Sequence, residues 1–237
     1  MLISPEYHKM LTELISGHQT IGHQILDLEA ELGANDSHRE TLDSLIEEAR
    51  ARIIVKDSYT KEESLGILRT IDNILRENYR IEVDSSAQLL SLGLQKKVLD
   101  CDNASFIYLS IADALRLPIV AVSAPEHLFV RFILDGNSFN WETTIAKELS
   151  DSDYINWLKI SPLSINNGAY LRDLTRQETM ATAYYNRGNA WARKGIFDKA
   201  IADYDEAIRL NPNYAEAHSN RGSAWFDKGN PKEAIKD

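Results

Sequence analysis

The sequence predicts an α+β domain followed by an all-α module of repeated helical hairpins. Two patterns predict this division. Residues 105–115 are apolar almost all round and precede short apolar runs typical of buried strands. The last quarter of the 237 residues instead repeats with a fixed period. We therefore expect residues 1–175 to form the first domain and residues 176–237 the second.

Residues 1 to about 80 have the pattern of amphipathic helices. Apolar residues recur at helical intervals in two stripes, so each helix should bury one face. The stripes are Leu42, Leu45, Ile46, Ala49 and Ile53, and then Leu65, Leu68, Ile71 and Leu75. Three sites have the composition of helix starts, namely Ser4-Pro5-Glu6, Ser37 with Glu40, and Thr60 with Glu63.

The next hundred residues predict a buried helix and then three strands. The helix Ser105–Leu115 should end before Pro118. The strands are residues 119–122, 128–134 and 139–143, and Asp135-Gly136-Asn137 joins the last two as a hairpin. If this hairpin turns on two central residues, paired residue numbers sum to an odd value. His127 then lies on the same sheet face as Asn140 and Glu142.

The C-terminal module has a period of 34 residues. The segment 186–191, Asn-Arg-Gly-Asn-Ala-Trp, returns at 220–225 as Asn-Arg-Gly-Ser-Ala-Trp. This resembles the tetratricopeptide repeat, whose unit is a helix–turn–helix of that length. We expect Gly188 to let the paired helices approach closely, with Trp191 and Tyr204 filling the space between them.

The repeat array is unfinished at Asp237, inside the second helix of the second repeat. One and a half repeats are fewer than the ~3 that a free-standing array needs. Three alternatives follow. The chain is a fragment, the half repeat packs on the first domain, or it packs on another copy of the chain as a homo-oligomer.

Charge and composition exclude several classes of partner. The net charge is −10, and residues 1–175 hold 27 acidic against 16 basic residues, which disfavours nucleic acid and anionic membranes. Residues 176–237 are near neutral, which disfavours a strongly acidic or basic ligand. The N-terminus lacks a leader pattern, and no apolar run approaches ~20 residues. One cysteine forms neither a disulfide nor a cysteine zinc cluster, and the other histidines form no metal pattern. We expect a cytoplasmic protein without a metal or cofactor.

Cys101 stands where the buried helix should begin. Free N–H groups and the dipole of a helix N-terminus stabilise a thiolate and can hold an oxyanion. The neighbouring Asp100 and Asp102 act in the opposite direction, because negative charge raises a thiol pKa. A lone cysteine is also often a small buried core residue. The position alone therefore leaves both a reactive and a structural cysteine open.

Four motifs around Cys101 resemble the bacterial transglutaminase-like superfamily over about residues 40–150. They are residues 100–105 (Asp-Cys-Asp-Asn-Ala-Ser), Leu117-Pro118, residues 125–131 (Pro-Glu-His-Leu-Phe-Val-Arg) and residues 140–144 (Asn-Trp-Glu-Thr-Thr). The resemblance implies a papain-like core in which a buried helix carrying the cysteine packs on a small antiparallel sheet. It also implies that Cys101 is the nucleophile, His127 accepts its proton, and Glu142 orients the histidine.

The residues leave alternatives open for each supporting role. Asn140 shares the predicted sheet face and is an alternative orienting group, while Glu142 has Arg131 as an alternative partner across the hairpin. Gln95 is a candidate oxyanion donor or a solvated surface residue. The chain also departs from the family pattern. The residues just before the cysteine, Lys97-Val98-Leu99-Asp100, lack the glycine that many members of the family have there. Glu126 stands where members of the family often have glycine, and no Gly-Gly follows Thr144.

The sequence therefore favours thiol-dependent amide hydrolysis or acyl transfer on a peptide, with the repeats recruiting the substrate or a partner protein. Hydrolysis and transfer share an acyl-enzyme and are not separated here. The alternative is a catalytically inactive adaptor that binds peptides. Asn186 and Asn220 occupy equivalent repeat positions, and their amides are candidates to hold a peptide backbone. The alternative for this pair is that it bonds neighbouring helices and sets their stacking.

Overall fold

A computed structural model describes residues 19–84 and 87–236. The predicted helix start at Ser4 lies outside these residues. Three helices form the N-terminal portion: α1 (Ile21–Leu28), α2 (Asp36–Arg52) and α3 (Lys61–Asn73). A 3₁₀ turn at Ala30–Leu32 follows α1, and a π-helical turn at Ile74–Asn78 extends α3.

Side-chain caps fix where these helices begin. Thr60 and Glu63 form the predicted capping box at the start of α3, which confirms that prediction. The predicted start at Ser37 is wrong, because Asn35 is the cap of α2 and its side chain accepts the Ser37 N–H. The two predicted apolar stripes are buried almost throughout.

The middle of the chain combines a buried helix with a five-stranded antiparallel sheet. Helix α4 (Leu90–Lys96) lies between the paired strands β1 (Glu82–Val83) and β2 (Val98–Leu99), and α5 (Cys101–Leu115) follows. The sheet has the order β6–β5–β4–β3–β7. Its strands are β3 (Ile119–Ala124), β4 (His127–Leu134), β5 (Asn137–Glu142), β6 (Lys147–Leu149) and β7 (Asp173–Leu174), and α6 (Asp151–Leu158) and α7 (Pro162–Asn166) precede β7. Helix α5 packs on β3 and β4.

The register of the β4–β5 hairpin decides which side chains share a face. Leu134 pairs with Asn137 across a two-residue turn, and Arg131 pairs with Asn140. Every paired sum is therefore odd, which confirms the predicted register. Gly136 in the turn has a φ of +75°, a conformation that glycine adopts at little cost.

The repeats form four helices that rest on the first domain. They are α8 (Arg176–Arg193), α9 (Phe197–Leu210), α10 (Ala215–Asp227) and α11 (Pro231–Ala234). A side chain at Gly188 would place its Cβ 2.7 Å from the Tyr204 ring, so the predicted close approach is confirmed. Helix α8 packs on α1, where Arg187 donates to the Leu28 carbonyl at 2.7 Å. Among the described residues, no helix has the length and apolar content that crossing a membrane requires.

Candidate thiol site

A cavity of about 390 Å³ lies between the first domain and the repeats. The start of α5 contributes Asp100, Cys101 and Asp102, and the junction of β3 and β4 contributes Glu126 and His127. The repeats contribute Tyr185, Asn186, Asn189, Asn211, Asn213, Tyr214 and Glu216. Cys101 and the face of α8 that carries Asn186 therefore border the same space.

His127 is held by a buried carboxylate on the neighbouring strand. Its Nε2 lies 2.6 Å from Glu142 Oε2, and the Glu142 side chain is fully buried. Tyr154 donates its hydroxyl to the same oxygen at 3.0 Å, and the Thr144 N–H donates to Oε1 at 3.0 Å. Burial alone would raise the pKa of the Glu142 carboxyl, but hydrogen bonds from His127 and Thr144 bring that pKa below its ordinary value. Glu142 is thus an ionised group that fixes the imidazole.

A second layer of contacts fixes the loop after Glu142. Arg76, in the π-helical turn, donates to the carbonyls of Thr143 at 3.1 Å and Thr144 at 2.8 Å. Asp72 in turn accepts from the Arg76 Nε at 2.6 Å. This network of hydrogen bonds was not predicted from the sequence, because nothing local marks Arg76 or Tyr154 as a neighbour of residue 142.

Asn140 and Arg131 belong to a separate network. Arg131 donates to Asn140 Oδ1 at 2.7 Å and also to Asp151 and Asp173. The Asn140 amide nitrogen donates to Asp151 at 2.7 Å. The structure therefore places Glu142, and not Asn140, on His127. It also contradicts the alternative in which Glu142 pairs with Arg131.

Cys101 begins α5 as predicted, but its thiol turns toward acidic and carbonyl oxygens. Its Sγ lies 3.6 Å from Asp102 Oδ1 and 4.0 Å from the Glu126 carbonyl. Between the two described residues Cys101 and His127, the structure shows no hydrogen bond. The contact through which His127 would accept the thiol proton therefore stays a prediction.

The start of α5 is an acidic environment for the thiol. Burial, followed by the charge of Asp102, raises the pKa of the Cys101 thiol well above its ordinary value. Burial and Asp102 also raise the pKa of Asp100 to about 8. Burial raises the pKa of Asp102, although Asn186 and His127 act against that rise. Burial and the charge of Asp102 thus act against the thiolate that a helix N-terminus favours.

The candidate oxyanion donor Gln95 lies away from the thiol. It is exposed at the end of α4 and lines another cavity, with Leu32 and His38. Gln88 lines that cavity too, and it also borders the thiol cavity. Nothing in the sequence favours Gln88 over Gln95, because Gln88 precedes α4 in an irregular segment.

The two equivalent asparagines have different partners. Asn186 is buried and donates to Asp102 Oδ2 at 2.9 Å, so it touches the helix that carries Cys101. Asn220 donates to Tyr185 at 3.0 Å and to Asn189 at 2.9 Å, which links α10 to α8. Amides that hold a peptide backbone should be solvent-accessible, and this expectation is wrong for Asn186, which is buried against the first domain.

The turn before His127 places a residue other than glycine in the left-handed region. Ala124 pairs with His127, so Pro125 and Glu126 form a two-residue turn, and Glu126 has a φ of +52°. Glycine adopts this conformation at little cost, whereas other residues adopt it less readily. Here the Glu126 N–H donates to Glu216 of the second repeat at 3.3 Å. The second repeat therefore contacts the first domain, as one of the three alternatives for the unfinished array expects.

Comparisons with known proteins support the repeat assignment. Residues 181–214 match the tetratricopeptide repeat family. No curated protein matches the chain. Among solved structures, the chain is similar to menin, with 16% identity and a TM-score of 0.47. The crystal structure of menin is reported to reveal the binding site for the Mixed Lineage Leukemia protein. That similarity covers 85% of this chain and 58% of the menin chain.

Proposed function

We propose that the chain carries out thiol-dependent acyl chemistry on a peptide segment bound between the first domain and the repeats. A tetratricopeptide repeat is a protein–protein interaction module, which suits recruitment of a protein substrate. One observation carries the proposal: His127, which is bonded to the buried Glu142, lines the same cavity that Cys101 borders.

The residues present account for each step of the chemistry. Nε2–H of His127 is donated to Glu142, which leaves Nδ1 as the basic nitrogen. Nδ1 takes the thiol proton as Sγ bonds to the substrate carbonyl carbon, and the carbonyl becomes an oxyanion. N–H groups at the start of α5 and the Gln88 amide are candidates to hold this oxyanion. The imidazolium then protonates the leaving amine as the C–N bond breaks, giving a thioester on Cys101.

Water or a second amine completes the reaction by attacking the thioester. His127 accepts the proton of the attacking group and returns it to Sγ as the C–S bond breaks. Because the thiol pKa is raised, proton transfer has to accompany attack instead of preceding it. Rotation of the Cys101 side chain from Asp102 toward His127 is the movement that the first step requires.

The second candidate is a peptide-binding adaptor without catalysis. The observation that favours it is the acidic start of α5, where burial and Asp102 hold Cys101 protonated and Sγ faces oxygen acceptors. In this alternative the first domain and the repeats form one binding cavity, and the thiol is a lining group.

Turnover on a generic acyl donor separates the two candidates. The full chain is incubated with casein and a fluorescent primary amine, and both peptide-bond cleavage and amine incorporation are measured. The acyl-transfer proposal expects one of these activities in wild type and its loss in Cys101→Ser and in His127→Ala. Wild type that matches Cys101→Ser, while still binding casein, supports the adaptor and overturns catalysis on this substrate class.

A further inference from the structure

Acidic side chains dominate the ionisable lining of the thiol cavity. Its carboxyl groups are Asp100, Asp102, Glu126 and Glu216, and neither lysine nor arginine is among its lining residues. The three arginines of α8 already have partners: Arg176 pairs with Asp113, Arg187 pairs with Asp203, and Arg193 donates to Gln88 at the edge of the cavity.

One of these carboxylates has an oxygen atom without a hydrogen-bond donor in the described part of the chain. Glu216 Oε1 accepts from the Tyr170 hydroxyl at 2.9 Å and from the Glu126 N–H at 3.3 Å. Its Oε2 is buried and has no hydrogen-bond partner within the described part of the chain. A buried acceptor without a donor is costly and rare in folded proteins. A donor supplied by a ligand would satisfy it.

Aromatic rings and amides complete the cavity wall. Tyr170, Tyr185 and Tyr214 line it, and the last two rings lie 5.0 Å apart. The faces of such rings attract cations. Four asparagine side chains also line the cavity and can pair with the donors and acceptors of a peptide backbone: Asn186, Asn189, Asn211 and Asn213.

We infer that the cavity binds the positively charged side chain of a lysine or arginine on its peptide ligand, with Glu216 Oε2 as an acceptor. The inference rests on the proposed function in so far as that function places a peptide in this cavity. A metal ion fits less well, because no group of three His, Cys, Asp or Glu residues in the described ranges is arranged to hold one. Its volume of about 390 Å³ is in the range of sites that enclose a side chain or small ligand.

Matched peptides test the charge preference directly. Acetylated, amidated pentapeptides Ala-Ala-Xaa-Ala-Ala are titrated into full-length Cys101→Ala protein by calorimetry, with Xaa as lysine, arginine, norleucine or glutamate. Norleucine keeps the aliphatic chain of lysine and lacks its charge. We expect lysine or arginine to bind on the order of tenfold more tightly than norleucine, and glutamate to bind most weakly.

Two variants locate the preference at Glu216. Glu216→Gln keeps the shape of the side chain and should reduce the lysine-to-norleucine ratio severalfold, whereas Glu62→Gln, at an exposed carboxylate far along the chain, should leave it unchanged. If Glu216→Gln does not fold, raising the salt concentration on Cys101→Ala protein should weaken lysine binding and spare norleucine binding. Equal affinity for lysine and norleucine peptides overturns the inference. Binding with the expected preference but no turnover in wild type leaves it standing and removes only the acyl-transfer proposal.

Discussion

The sheet side and the helix side of the thiol cavity differ in how completely their polar groups are satisfied. On the sheet side, Glu142 takes hydrogen bonds from His127, Thr144 and Tyr154. On the helix side, Asp100 and Asp102 have raised pKa values, and across the cavity the Glu216 Oε2 has no donor. The base is therefore held in place by hydrogen bonds, whereas the opposite side concentrates carboxyl groups, one of which has an oxygen without a donor in the described part of the chain.

The largest expected effect comes from the organised side. Glu142→Gln removes the charge that orients His127, so acylation of Cys101 by 4-nitrophenyl acetate should slow by about a hundredfold or more. The control is Glu148→Gln, which alters an exposed carboxylate on β6. Release of 4-nitrophenol in a single turnover measures both. Equal rates in wild type and Glu142→Gln would show that the sheet side is only structural.

A smaller effect is expected at the nucleophile itself. Asp102→Asn removes a negative charge that raises the Cys101 thiol pKa, so that pKa should fall. Because thiolate is the reactive form, iodoacetamide should alkylate the variant about tenfold faster than wild type at pH 8, the equivalent of about one pKa unit. The chain has one cysteine, so the label reports on this site alone. Slower alkylation in the variant would contradict the electrostatic account.

The raised pKa of Asp100 predicts a pH dependence of stability. Between about pH 4 and pH 8 the folded state keeps a proton that the unfolded state has released, so the free energy of unfolding falls as pH rises through this window. Asp100→Asn keeps the helix cap and removes the titration. From pH 5 to pH 8, wild type should lose at least about 1 kcal/mol more stability than the variant in urea denaturation. Parallel pH profiles would refute the shift.

The smallest effect separates the two repeat asparagines. Both Nδ2 hydrogens of Asn220 are used between helices, so Asn220→Ala should cost about 1 kcal/mol of stability and leave peptide affinity unchanged. Asn186 lines the cavity, so Asn186→Ala should weaken peptide binding about threefold to tenfold. Melting temperatures and calorimetric affinities of both variants measure this. If Asn220→Ala weakens peptide binding while Asn186→Ala lowers only stability, Asn220 has a role in holding the peptide.

Local pattern sufficed for the central elements of this fold. Periodicity located α5 and the strands β3, β4 and β5, and the Asp135-Gly136-Asn137 turn indicated the register that places His127 beside Glu142. The short strands β1, β2, β6 and β7 were not predicted. The 34-residue period located the paired helices through Gly188 and Tyr204. These features depend on neighbours in sequence or on strict repetition, so sequence alone carries them.

The rest of the site depends on contacts between distant segments. Gln88 borders the cavity because an irregular segment folds beside α5, and Arg76 reaches residues 143 and 144 from the N-terminal helices. Asn186 meets Asp102 because the first repeat docks on the first domain. None of these long-range contacts produces a periodic pattern in the sequence, so none could be predicted from it. The division at residues 175 and 176, like the transglutaminase-like assignment, remains a prediction.

The most direct test of the central claim is the acyl-enzyme. Wild type, His127→Ala and Cys101→Ala are mixed with 4-nitrophenyl acetate near neutral pH, and acetyl groups are located by mass spectrometry of the intact and digested protein. We predict a transient acetyl thioester on Cys101 that forms in wild type at least about a hundredfold faster than in His127→Ala. Acetylation of Cys101 at the same rate in wild type and His127→Ala would contradict the account, because His127 would then have no part in activating the thiol.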